Sequence, residues 1–112
     1  MNYDKLVLFQ KIYDLILEIH PIIITFPKNE RFTLGQKMEN TLLSILEIVI
    51  VINLKKVSSN YFRKIDVELQ KLKIFIRLSK DLRFISIKTY GSLEEKVVEI
   101  GKILGGFERV LV

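Results

Sequence analysis

The chain has 112 residues, enough for one domain spanning 1–112, because two cores cut from this length would each be too small to hold together. It has no cysteine, which excludes disulfides, thiolate catalysis and zinc–cysteine sites and suits a cytoplasmic protein. The net charge of +5 is unevenly placed: residues 1–54 hold five Lys or Arg against six Asp or Glu, residues 55–90 ten against three, and residues 91–112 three against four. Localised charge points to a localised, anionic partner.

Residues 1–25 contain Asp4, Asp14 and Glu18 and lack a small-residue cleavage site, so no secretory signal is expected there. The same stretch is helical by its spacing. Leu8, Ile12, Leu15 and Ile19 form one apolar line, and Leu6, Phe9, Tyr13 and Ile16 a second beside it. Pro21 removes a backbone donor and predicts a kink or a stop. Phe26-Pro27 marks a firmer break. A second helix is expected to begin within Lys28–Thr33 and to run to about Asn53.

That second helix is unusually apolar. Met38, Leu42, Ile45, Val49 and Ile52 make one line, and Leu43, Leu46 and Ile50 another. The run Leu42 to Ile52 still contains Ser44 and Glu47, and a membrane span needs about 20 largely uncharged residues. No span is expected. The polar stretch Lys55–Asn60 then offers Ser58, Ser59 and Asn60 as helix caps. A third helix follows to about Arg83. For the fourth, Ser86 competes as the cap with a Ser92/Glu95 capping box. Tyr90, Leu93, Val97, Ile100, Leu104, Phe107 and Leu111 alternate steps of three and four, which is a core stripe. Gly105-Gly106 interrupts it and reads as a fraying end or C-cap, although the stripe resumes beyond it. Gly35 implies a bend or a close helix approach, and Gly101 the same.

Four amphipathic helices with short connections predict an all-α, up-down-up-down four-helix bundle. Such a bundle buries one face of each helix, and the second helix, and in part the first and third, have apolar residues left over. A surplus of that kind marks an interface, and self-association accounts for it better than a slightly oversized core.

The positive charge belongs mainly to the third helix. Ile65, Leu69, Leu72 and Ile76 face the core, and Lys73, Arg77 and Lys80 fall at i, i+4 and i+7 on an adjacent face. Arg63, Lys64 and Lys71 lie elsewhere on that helix. Arg83 and Lys88 add charge around the turn that follows it, and Lys55 and Lys56 around the turn before it. Arrays of this kind neutralise phosphates and release counterions, and Arg holds a phosphate in bidentate fashion. No aromatic is interleaved among these cations, so contact to backbone and shape is expected rather than to base sequence. A charged face that only meets water is the competing reading.

Catalytic chemistry is poorly represented. His20, the one histidine, precedes Pro21 and has no Arg within a turn or two, which removes the main requirement of a helical-bundle ribonuclease. There is no pair of Glu-x-x-His motifs for a di-iron site, no phosphate-binding glycine loop and no nucleophile elbow. Neither an enzyme nor a cofactor or metal site is expected.

Three blocks, "FPKNERFTLGQKMENTLLSILE", "VELQKLKIFIRLSKDLRFIS" and "IGKILGGF", resemble the accessory variability determinant proteins of diversity-generating retroelements. These belong to a superfamily of small bacterial four-helix bundles that includes proteins encoded in ribosomal-RNA intervening sequences. The resemblance runs from about Asp14 to Phe107, and "RFTLGQKMENT" favours the retroelement branch. It implies a ring-like homo-oligomer, a pentamer, that binds RNA and DNA with little sequence preference. It also implies association with the retroelement reverse transcriptase and a role in mutagenic copying of the template RNA. By position it makes Arg77, Lys80 and Arg83 partner-binding residues, with Arg31 and Lys37 weaker candidates. Phe107 follows the double glycine, where the family pattern implies Trp. A protein–protein assembly module of the intervening-sequence type is the alternative.

Overall fold

The computed structural model describes residues 2–54 and 59–111, with side chains for 5–54 and 60–107. It contains four long helices, α1 (Asn2–Ile24), α3 (Leu34–Leu54), α4 (Ser59–Asp81) and α5 (Ile87–Leu111), and a single-turn helix, α2 (Lys28–Arg31), between the first two of them. No strand occurs among the described residues. Around the bundle α1 packs on α3 and α5, and α4 packs on the same two, which leaves α1 and α4 on a diagonal. Consecutive long helices are antiparallel neighbours, so the order is up-down-up-down.

The apolar lines do what their spacing requires. Leu8, Ile12, Leu15 and Ile19 of α1, the Met38–Ile52 line of α3, Ile65, Leu69, Leu72 and Ile76 of α4, and Leu93, Val97, Ile100, Leu104 and Phe107 of α5 are all buried in one core. Phe62 stacks on Phe107 with ring centroids 5.0 Å apart, so the aromatic after the double glycine closes one end of that core. Two ion pairs, Lys11–Glu99 at 3.1 Å and Lys96–Glu18, tie α1 to α5 across the rim.

Local structure departs from expectation at several places. α1 continues through Pro21 to Ile24. It then tightens, with the Thr25 and Phe26 amides donating to the Ile22 and Ile23 carbonyls at 3.0 Å each. The second helix does not begin once. Pro27 starts the α2 turn, and α3 begins separately at Leu34. Gly35 sits where the two meet: a Cβ there would lie 2.7 Å from Ile23 Cγ2 and 3.3 Å from the Glu30 carbonyl oxygen. It is a close-approach glycine. Gly101 is not, since its Cβ would meet Leu69 Cδ2 at an ordinary 3.8 Å. Gly105-Gly106 neither frays nor caps, because α5 runs through both to Leu111 and Leu104 and Phe107 anchor it on either side. Ser86, not Ser92, caps α5: its hydroxyl accepts from the Thr89 amide at 3.0 Å. Ser58, Lys55 and Lys56 lie outside the described residues, while Ser59 and Asn60 are already inside α4.

The apolar surplus is real; α4 shares in it through Val67, Ile74 and Leu78, and part of it lies along α1 and α3. Leu43 and Ile50, on the α1 side of α3, are 48% and 42% exposed, and Leu6, Tyr13 and Leu17 of α1 are exposed beside them. A groove between the two helices is lined by Ile16, His20, Glu39, Leu42 and Leu43. The His20 imidazole pairs there with the Glu39 carboxylate, so His20 joins two helices.

Candidate nucleic-acid interface

α4 carries six Lys or Arg against three Asp or Glu, and its core line turns the Lys73, Arg77 and Lys80 face toward α5. Lys73 is half-buried in a groove of about 510 Å³ whose other wall is Val97, Val98, Gly101, Lys102 and Gly105 of α5. One turn on, Arg77 projects into solvent, its Nε 3.9 Å from Asp81 Oδ2. Lys80 is half-buried: its Nζ lies 4.5 Å from the Tyr90 ring centroid and 3.3 Å from Asp81 Oδ1. Glu94 accepts a hydrogen bond from the Tyr90 hydroxyl and holds the phenol above its usual pKa of 10.0. Tyr90, read from spacing as a core residue, packs half-buried against the core and is also the platform on which Lys80 rests.

Beyond Asp81 the chain turns sharply. The Phe84 amide donates to the Ser79 carbonyl at 2.8 Å and the Arg83 amide to the Lys80 carbonyl at 2.9 Å, the paired bonds of a Schellman cap. That cap needs a left-handed residue, usually glycine. Here it is Arg83, at φ 66°. The Arg83 and Lys88 side chains are exposed and make no ion pair among the described residues. Arg83 borders an open depression of about 840 Å³ that is lined also by Lys80, Asp81, Phe84, Ser86, Ile87 and Tyr90.

The fold brings a second basic segment to the same end. The connection 25–33 meets the corner 82–86 through Phe26 and Phe84, whose ring centroids are 5.3 Å apart. Arg31 is thus at the same end as Arg83, although its Nε is partly committed, donating to the Phe26 carbonyl at 3.2 Å. Lys37 is exposed on the first turns of α3 and extends the Ser44–Ile48 line that borders α4. Arg63 is the outlier. It lines the α3–α4 groove near the far end of the bundle, about 25 Å from Lys80 along α4 by the helical rise. Six of the eight sequence candidates share one end, Lys73 lies just below it, and Arg63 is apart. Lys28 and Phe32 were not singled out from the sequence; both are exposed at this end, Phe32 at 72%. Their signal was a lone aromatic among cations, off both apolar lines.

Among the described residues no group of His, Asp or Glu is placed to hold a metal, and no helix is long and apolar enough to cross a membrane. The fold and the site define a small all-α bundle with a cationic end. The chain belongs to the bAvd-like family, which it matches over residues 6–111. No curated protein and no solved structure matches it.

Proposed function

We propose that this chain is a non-enzymatic accessory protein of a diversity-generating retroelement, acting in the cytoplasm. It binds RNA and DNA through their phosphates, associates with the reverse transcriptase, and supports mutagenic copying of the template RNA. It works as a homo-oligomer, a pentamer by family resemblance. The observation that carries this reading is the convergence of Arg77, Lys80, Arg83, Lys88, Arg31 and Lys37 on one end of the bundle, in a chain of the bAvd-like family. Carboxylates near these cations are few, and Asp81 is shared between Arg77 and Lys80. A phosphate polymer would therefore meet a net positive field.

A structured RNA and a DNA duplex, titrated across a salt series, test it. The expected slope of log K against log salt is several units, at about 0.9 per neutralised phosphate on duplex DNA. The triple variant Arg77→Glu, Lys80→Glu, Arg83→Glu is expected to lose nucleic acid and the polymerase while keeping its oligomeric mass. No binding at low salt would leave the assembly-module reading, which the exposed α1–α3 face favours.

A further inference from the structure

We propose that Phe32 is a base-stacking platform and that the cationic end takes single-stranded nucleic acid with an unstacked base. The proposal rests on the nucleic-acid reading above and adds the strandedness of the ligand.

Phe32 closes α2 with near-helical geometry, φ −93° and ψ −5°, and is 72% exposed. Its turn buries nothing, so no intramolecular packing explains a phenyl ring there. Lys28 stands one helical turn earlier, at i−4, which places the two Cβ atoms roughly 5–6 Å apart. Arg31 is the adjacent residue in sequence, its Nε donating to the Phe26 carbonyl at 3.2 Å. Across the Phe26–Phe84 contact, Arg83 supplies a cation on the opposing connection and Lys88 one in the first turn of α5. The one carboxylate on the turn, Glu30, accepts from the Thr33 hydroxyl at 3.0 Å.

An exposed aromatic on a segment that also carries Lys28 and Arg31 matches a ligand with a flat π-face and anionic links on either side. A duplex offers the links but hides its base faces; a single strand offers both. A protein partner would cover Phe32 with an apolar pocket and would have to desolvate the surrounding cations, which is unfavourable unless each is paired. The stacking is sequence-tolerant, because every base has a π-face.

The full-length chain tests this with three fluorescein-labelled probes of equal length: an oligoadenylate, an abasic strand and a blunt RNA duplex. The parent is expected to prefer oligoadenylate over the abasic strand. Phe32→Ala is expected to weaken oligoadenylate binding about 5- to 100-fold, with an unchanged salt slope and unchanged duplex affinity. The chain has no tryptophan, so Phe32→Trp supplies a single emitter at the site. It is expected to retain affinity and to be quenched by oligoadenylate but not by the abasic strand. Equal oligoadenylate affinity for parent and Phe32→Ala overturns the stacking platform and leaves the phosphate reading standing. A Phe32→Ala chain that loses oligomeric mass while keeping single-strand affinity assigns the ring to a protein contact and also overturns it. Failure of the parent to bind any of the three probes overturns both readings.

Discussion

α3 and α4 are antiparallel neighbours of 21 and 23 residues, and each sends one apolar line into the shared core. Their remaining faces differ in charge. α3 carries one lysine and two glutamates and turns Leu43 and Ile50 outward next to Leu17 of α1. α4 carries six cations, with Lys73 and Lys80 against α5 and Arg63 and Lys64 along the groove with α3, and it also exposes Val67, Ile74 and Leu78. Both helices line the core and both also expose apolar side chains; what separates their outer faces is charge, one lysine on α3 against six Lys or Arg on α4. Stability and function thus occupy different faces of the same two helices, and each can be altered with little effect on the other.

The shared core is where the largest effects are expected. Ile45→Ala in α3 and Leu72→Ala in α4 remove fully buried side chains, and each is expected to cost about 2–5 kcal/mol in urea unfolding. A clearly smaller loss in one helix would break the equivalence of the two core lines. The outer face of α3 comes next. Leu43→Lys with Ile50→Lys is expected to weaken self-association by roughly 2 kcal/mol or more per side chain, if these are central contacts, and to move the sedimenting species toward monomer. Val67→Lys with Ile74→Lys on the exposed side of α4 is the matched control and is expected to leave the mass unchanged. A monomeric parent would remove the covered-face half of the comparison.

On the charged side the effects are smaller and are read from salt. Lys88→Gln is expected to lower the slope of log K against log salt by about 0.9 on duplex DNA, the loss of one phosphate contact. Arg63→Gln, far along α4, is expected to change it less. Equal slopes for both variants would mean that the whole length of α4, and not its end, meets the polymer.

The core lines were legible in the sequence because a 3.6-residue period is a local property, and Ile65, Leu69, Leu72 and Ile76 needed no partner to be recognised. The apolar surplus on α3 was legible for the same reason. Its continuity with Leu6, Tyr13 and Leu17 was not, because that depends on which side of α1 meets α3. Arg31 and Arg83 are more than fifty positions apart, and no spacing rule joins them; the Phe26–Phe84 contact does. Gly105-Gly106 misled because propensity is a weak prior, and Leu104 and Phe107 hold the helix through it. Tyr90 fitted the core stripe by number and does pack, half-buried, against the core; its second role, as the ring over which Lys80 lies, needed the neighbouring helix to be seen.

Arg83 separates stability from binding most cleanly, although its effect is the smallest. A non-glycine residue in the left-handed region costs about 1–2 kcal/mol, and nothing in the Schellman bonds of the α4 corner uses the Arg83 side chain. Arg83→Gly relieves that strain, and glycine's extra freedom in the unfolded chain takes part of the gain back. The net expectation is a stabilisation of roughly 0.5–1 kcal/mol, read as a higher melting temperature. The same variant removes an unpaired cation from the corner, so nucleic-acid affinity is expected to fall. A variant that melts higher and binds worse would mean that the strained arginine is kept for its ligand. A variant that melts higher and binds equally well would leave the arginine without a role at that corner and would shift the phosphate contacts to Arg77 and Lys80.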